Sequence, residues 1–408
     1  MDTCKLVAAT SLASFALGIF WARRRFESTA TADTTDASTD TTAVYVGIDL
    51  GGTTVGVALV NAAGRKLASV SCNISTSNAA TPLERSFTTV VDLMCTQVHK
   101  VIQLANAADA GSGSGSAVTI HTVAAFGIGA PGLLDTDQGI IQAIANFEWE
   151  NVPLTNTLAQ ALRVDPSKVF LENDANSALL AELWTGAGKD KKDVVMLTLG
   201  TGVGCAIMSG GHLLRGCSGD AGEMGHTVLI PNGRVHGTTG VYGIFEGYAS
   251  ATAVVARTKE RLATCTTPSP LRALGEAGML TCKEVFRHAA LLGGGTRSVA
   301  EGEGAGTGTA GAQLDCSIAN TIVAETMEYI GIGCINVCRC FDPELVILTG
   351  GMTNAGDPLL EAVRRGYCKH HWNITPSNTK RIVLACGGTD AGMVGAAAAA
   401  LLRHGGTF

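Results

Sequence analysis

The chain has 408 residues, 46% hydrophobic, 16% charged and 5% aromatic. Glycine supplies 51 of them with no Gly-X-Y period, which excludes collagen. The apolar share is enough for a sizeable core over about two domains. Lys plus Arg number 29 against 35 Asp plus Glu, a net charge of −6, so no basic field suited to nucleic acid is present.

The first segment, Leu6 to Ala22 (LVAATSLASFALGIFWA), carries no charge and is followed by Arg23, Arg24 and Arg25. It reads as a membrane-spanning anchor at the short limit of length, or alternatively as a cleaved presequence. The arginines place the following chain on the cytosolic side. Residues 1–26 are thus expected to be an anchor or presequence. Residues 27–43, rich in Ser, Thr, Ala and Asp, are expected to be a disordered tether.

From Val44 the pattern becomes strand-like: VYVGIDL, a GGTT turn, VGVALVN, then KLASVSCNI. Apolar residues then recur by threes and fours from Leu83 to Ala105, predicting an amphipathic helix. A GSGSGS loop at Gly111–Ser116 precedes strand signals in AVTIHTVAAFGIGAPG. The strands DVVMLTLG, GVGCAIMSGG and HLLRG repeat the order of the first half, predicting a duplicated α/β architecture with a cleft between the halves.

Two Gly/Thr turns follow apolar strands: Asp49-Leu50-Gly51-Gly52-Thr53-Thr54 and Leu199-Gly200-Thr201-Gly202-Val203-Gly204. Either alone fits an ordinary hairpin. Two in matching positions, one beside an aspartate, point to phosphate cradles with Mg²⁺ held near Asp49, directly or through water. Neither is a P-loop. Gly350–Gly351, after the strand LVILT, is suited to pass beneath an adenosine. Asp174 ends the strand VFLEN just before a helix, where it fits equally a general base or a helix N-cap.

The thirteen cysteines show no CxxC pair, which fits free thiols in a reducing compartment. Cys334, Cys338 and Cys340 lie close together but lack the spacing and the fourth ligand of a metal site.

From Val44 to about Arg403 the chain resembles the ROK family, and within it the ATP-dependent glucokinases. The motifs are DLGGTTVG (Asp49–Gly56), GIGAPG (Gly127–Gly132), ENDANSALLAE (Glu172–Glu182), LTLGTGVG (Leu197–Gly204), GEMGH (Gly222–His226), EGYAS (Glu246–Ser250) and ILTGG (Ile347–Gly351). The resemblance implies the α/β, two-domain actin/hexokinase/Hsp70-like fold, a duplicated ribonuclease H-like unit with a central nucleotide and sugar cleft. The expected division is a smaller domain of residues 44–173 plus 388–404 and a larger one of 174–387, with a Gly-rich insertion at 293–311. It implies that Asp174 takes the proton of the sugar 6-hydroxyl. Asn146, Asn173, Asp174, Glu223, His226 and Glu246 would hold the sugar. Asp49 would orient Mg²⁺, while Gly51, Gly52, Thr53, Thr54, Gly200, Thr201, Gly202, Gly350 and Gly351 would face the nucleotide. ATP and Mg²⁺ are the implied cofactors, and glucose the implied acceptor. N-acetylmannosamine is the alternative acceptor; a sugar-responsive repressor or a pure sugar-binding protein is the non-enzyme reading. Dimers are common in the family, leaving a homodimer open.

One departure stands out. The resemblance places a zinc-binding CxCxxxxC cluster between the His of GEMGH and the later Glu, but Gly237, Thr239 and Ile244 occupy those positions here. The loop is therefore expected to work without zinc. Val235, Val241, Ile244 and Phe245 would bury apolar area in its place, and Gly237, Gly240 and Gly243 would allow tight turns. The basic flank and tether also resemble the front of membrane-associated plant hexokinases, implying a location on the cytosolic face of the mitochondrial outer membrane.

Overall fold

A computed structural model describes residues 31–32, 43–74, 85–109, 117–144, 147–217, 219–265, 269–289, 310–372 and 378–407. The first half runs β1 (Thr31–Ala32), β2 (Val44–Leu50), β3 (Thr54–Asn61), β4 (Lys66–Asn73), α1 (Phe87–Asp109), β5 (Val123–Ala130), β6 (Leu133–Asp135), β7 (Ile140–Ile144), β8 (Trp149–Val152), α2 (Leu154–Leu162) and β9 (Val169–Asn173). Its main sheet has the order β1-β4-β3-β2-β5-β9; β2, β3 and β4 form an antiparallel meander, and β5 and β9 run parallel to β2 and to each other.

The second half runs α3 (Asp174–Thr185), β10 (Val194–Leu199), β11 (Val203–Ser209), β12 (His212–Leu213), α4 (Glu246–Ala249), α5 (Ala251–Thr264), α6 (Pro270–Glu276), α7 (Cys282–His288), α8 (Ala310–Phe341), β13 (Leu345–Thr349), α9 (Asp357–His370), β14 (Ile382–Leu384) and α10 (Ala391–Arg403). Its sheet has the order β12-β11-β10-β13-β14. Setting aside β1 and the separate three-stranded sheet β6-β7-β8, both main sheets place their third, second, first, fourth and fifth strands in chain order side by side, with the same senses. The duplication read from the motifs is thus a duplication of topology.

Period-two alternation explains the layering. In β2, Val46, Ile48 and Leu50 pack with Val90, Met94 and Val98 of α1, whereas Tyr45 faces α3 and α10. In β10, Val194 and Met196 face the same two helices, whereas Val195 and Leu197 join Val254 of α5, Val323 of α8 and Val363 of α9. Helices α3 and α10 therefore lie between the two sheets, buried on both sides. Their close approach needs small residues. A Cβ on Gly395 would overlap the Ser177 carbonyl oxygen, and one on Gly127 that of Ala396.

Glu182 ties this central layer together. It is 1% exposed; Oε2 accepts the Ala187 N–H at 2.8 Å, and Oε1 accepts those of Cys386 and Gly387 at 2.9 and 2.5 Å. It thereby fixes the start of the segment that opens α10. Removing it leaves three part-buried donors without their charged acceptor, at about 1 kcal/mol each before relaxation. Glu182→Ala is expected to destabilise the protein by about 3 kcal/mol, read as a lower denaturation midpoint. An unchanged midpoint would refute the clamp.

Several expectations need correction. The helix predicted from Leu83 begins at Phe87, β5 begins only at Val123, and the strand expected in HLLRG is limited to His212–Leu213. Within the expected tether, Thr31–Ala32 pair with Ser69 and Ala68 of β4; its residues 33–42, like 293–309 of the Gly-rich insertion, lie outside the described residues. The membrane anchor expected at Leu6 to Ala22, and the membrane partner and cytosol-facing location drawn from it, are not supported. Among the described residues no helix is long and apolar enough to cross a membrane. The segment itself lies outside the described residues. Its seventeen uncharged residues would span only about 26 Å as a helix, against a hydrocarbon core of about 30 Å.

Candidate active site

Both Gly/Thr turns connect the first two strands of their half, so equivalent positions of the duplicated fold carry them. In the first, the Gly51 N–H donates to the Thr54 carbonyl at 2.9 Å, and the Thr53 carbonyl accepts the Ile74 N–H at 2.9 Å. In the second, the Gly200 N–H donates to the Gly202 carbonyl at 3.0 Å and the Gly200 carbonyl accepts the Ala251 N–H at 2.8 Å. The Thr201 carbonyl accepts the Thr252 hydroxyl at 2.8 Å. These carbonyls are engaged by the protein while Thr53, Thr54 and Thr201 stand exposed at the tips. Gly350 lies against the end of β10. Its φ of +95° and the 2.5 Å separation that a Cβ would have from the Leu199 carbonyl oxygen admit only glycine. Gly350–Gly351 therefore border the second turn, as the nucleotide reading requires.

The two readings of Asp174 separate here. Asn173, not Asp174, caps α3: its Oδ1 accepts the N–H groups of Ala175 and Asn176 at 2.9 and 3.2 Å. Asp174 is the first helical residue, with Oδ1 accepting the Ala175 N–H at 2.8 Å and its side chain open to solvent. Desolvation by the surrounding protein nevertheless raises its pKa above the ordinary aspartate value, against the opposing pull of the Ala175 N–H and the Asn173 side chain. Asp49, at the end of β2, lies against Gly392 at the start of α10. Its carboxyl is pushed up to about 6 by burial and then by the negative charge of Asp174. The two aspartates thus share one electrostatic site at the ends of β2 and β9.

Behind them lies a carboxylate that sequence reasoning did not single out. Glu172 is 2% exposed, accepts the Asn173 N–H at 3.1 Å and the Asn176 amide at 2.9 Å, and is ion-paired with Arg215. Arg215 follows β12, so this pair joins β9, which leads into Asp174, to the other half. Across β11, Gly204 borders Ala175 and Gly225 borders Val203, which brings the Glu223–His226 segment to the opposite side of the same strand. Glu223 Oε2 and His226 Nε2 are 4.0 Å apart, and both side chains are exposed. Glu246 contacts His236, 3.0 Å away, and the Val203 N–H, 2.7 Å away. Asn146 lies outside the described residues.

In the loop that precedes α4, the expected packing is only half right. Ile244 and Phe245 are buried, but Val235 and Val241 are 52% and 44% exposed. Backbone pairing supplies the remainder, with bridges between Val228 and Ile244 and between Val235 and Tyr242. Gly240 and Gly243 take positive φ there; Gly237 does not. Among the described residues no three His, Cys, Asp or Glu side chains are gathered to hold a metal. Cys334 and Cys338 are buried in the core of the second half, where burial pushes both thiols up.

The profile of the ROK family matches residues 45–403. A glucokinase of Thermotoga maritima is 31% identical over 364 residues, covering 88% of this chain and 98% of its own. The crystal structure of a ROK hexokinase from Thermus thermophilus is 26% identical with a TM-score of 0.62, covering 88% of this chain and 98% of that one. A ROK glucokinase from Streptomyces griseus, solved in complex with glucose and AMPPNP, is 27% identical with a TM-score of 0.61, covering 87% and 98%. The actin-like, two-domain fold expected from the motifs is therefore the fold of these relatives, and the chain belongs to the ROK family.

Proposed function

We propose that this protein is a hexose kinase that transfers the γ-phosphoryl group of ATP to the 6-hydroxyl of glucose. The observation that carries the assignment is the freedom of Asp174: Asn173 caps the helix, so the Asp174 carboxylate remains open to solvent as a base. The Ala175 N–H holds its Oδ1, which leaves Oδ2 for the proton of the sugar hydroxyl. Its raised pKa makes it a better acceptor for that proton than an ordinary aspartate.

Asn173, Glu223, His226 and Glu246, with Asn146 from the family motif, supply the amide, imidazole and carboxylate groups that hexose hydroxyls need. The first and second Gly/Thr turns and Gly350–Gly351 receive the nucleotide. Asp49 fits a hard divalent cation, because its desolvated oxygen donors already bear the repulsion of Asp174 and a cation would relieve both. When bound with ATP, Mg²⁺ would neutralise charge on the phosphates. The protein's own part is in-line positioning and exclusion of water between its halves. The repressor and sugar-binding readings lose support because Asp174 and both turns are present together.

The acceptor is tested by competition. Glucose is expected to be phosphorylated at millimolar concentration and to suppress turnover of N-acetylmannosamine. Failure to phosphorylate glucose at that concentration would overturn the assignment.

A further inference from the structure

His236 has no role in the reading above, yet it makes one of the best-defined contacts of the site. It sits at the turn of the loop whose cysteine positions hold Gly237, Thr239 and Ile244. The loop is laced by its backbone: Leu229 N–H to Gly243 carbonyl, Gly243 N–H to Arg234 carbonyl, and His236 N–H to Val241 carbonyl, each at 2.8 Å. The imidazole is folded inward, with Nε2 3.0 Å from Glu246 Oε1 and the two side chains only 12% and 18% exposed.

The network fixes the tautomer. Nδ1 lies 2.9 Å from the Thr239 hydroxyl and 3.4 Å from the Thr239 N–H, and the latter can only donate. Nδ1 is therefore the acceptor, and in the neutral ring the proton is on Nε2, aimed at Glu246. The other Glu246 oxygen accepts the Val203 N–H at 2.7 Å, directly after the second Gly/Thr turn. Gly202 leaves room for this oxygen, since a Cβ there would push the carboxylate aside. Glu246 is thus held at both ends, once by the turn and once by His236. A carboxylate has about four acceptor positions, so two remain for a sugar.

We infer that His236 is a positioning residue for hexose recognition: its Nε2–H fixes the Glu246 carboxylate between the sugar and the second phosphate turn. The inference rests on the hexose kinase reading. It assigns to one imidazole, supported by Thr239, the tethering of this loop to Glu246. Without it, Glu246 keeps its bond to Val203 but is free to rotate about it, and hexose affinity falls before the phosphoryl-transfer step is affected.

The test compares the full-length wild type with His236→Ala, His236→Gln and Thr239→Val. Glucose and ATP kinetics, glucose affinity by calorimetry and melting temperature are measured for each. His236→Ala is expected to raise the KM and Kd for glucose by about tenfold or more, the scale of one lost hydrogen bond to a charged group. Its kcat and ATP KM at saturating glucose should stay within about threefold of wild type, well inside that scale. His236→Gln, which retains an N–H donor, should recover most of the affinity, and Thr239→Val should lose about two- to fivefold as the weaker link. An unchanged glucose KM and Kd in His236→Ala would overturn the inference. So would equal losses in the Ala and Gln variants that follow their melting temperatures. A wild type that neither binds nor phosphorylates glucose would overturn the kinase reading, and this inference with it.

Discussion

Asp174→Asn is expected to lower kcat for glucose by at least about 10²-fold, the scale of general base catalysis, while glucose binds with near-normal affinity. The variant isolates the proton acceptor. Its amide oxygen can keep the bond from the Ala175 N–H, and the α3 cap belongs to Asn173, so the local fold has no reason to change. What is lost is a negative oxygen in a partly desolvated cleft. The measurement is steady-state turnover beside calorimetric glucose binding. Turnover near the wild-type rate would return Asp174 to a structural role; loss of binding in parallel would make it a sugar ligand only.

Asp49→Asn is expected to have an equally large effect on turnover and the opposite effect on stability. The Asp49 pKa is raised from 3.8 to about 6 in the folded chain by burial and by Asp174. The folded state therefore holds the proton more tightly than the unfolded one. Stability falls as pH rises between these two values, and above pH 6 the penalty is complete, on the order of 2–3 kcal/mol. An asparagine carries no such penalty, so the ligand-free variant should melt higher than wild type at pH 7.5 and equally at pH 3.5. Its turnover should drop by about 10²-fold or more, the scale of losing an electrostatic group at the reacting phosphates. In the wild type, the acid limb of activity without excess Mg²⁺ should rise through pH 6. A variant that is both less stable and fully active at pH 7.5 would contradict this description of the site.

The duplicated fold was legible because its signal is local. VYVGIDL and DVVMLTLG are mainly apolar strands, each leading into a Gly/Thr turn and followed by an antiparallel partner. The helix over Phe87–Asp109 was legible for the same reason, since Val90, Met94, Val98 and Val101 recur at helical spacing and are buried. The role of Asp174 was not decidable from spacing. Asn and Asp are equally good caps, and the two are adjacent, so only the observed bonds donated to the Asn173 side chain separate them.

The remaining contributors are non-local. Arg215 and Glu172 are 43 residues apart, and Glu182 reaches backbone 204 and 205 residues away, so no periodicity reveals either contact. His236 lies next to the vacant cysteine position at Gly237, but its contact with Glu246 is set by how the loop folds. Val235 and Val241 misled in the other direction. Both are apolar, but backbone pairing holds their strand-like stretch at the surface and leaves them partly exposed. The apolar N-terminal segment was read from composition alone; its seventeen uncharged residues sit at the short limit of a membrane span, and no helix among the described residues is long and apolar enough to cross one.

The kinase assignment is tested most directly by identifying the product. The full-length protein, incubated with glucose, ATP and Mg²⁺, should yield ADP and a single sugar phosphate whose phosphorus-31 and carbon-13 spectra place the phosphoryl group on the 6-oxygen, and Asp174→Asn should yield neither above background. ADP release without a sugar phosphate, or phosphorylation at another hydroxyl, would contradict it.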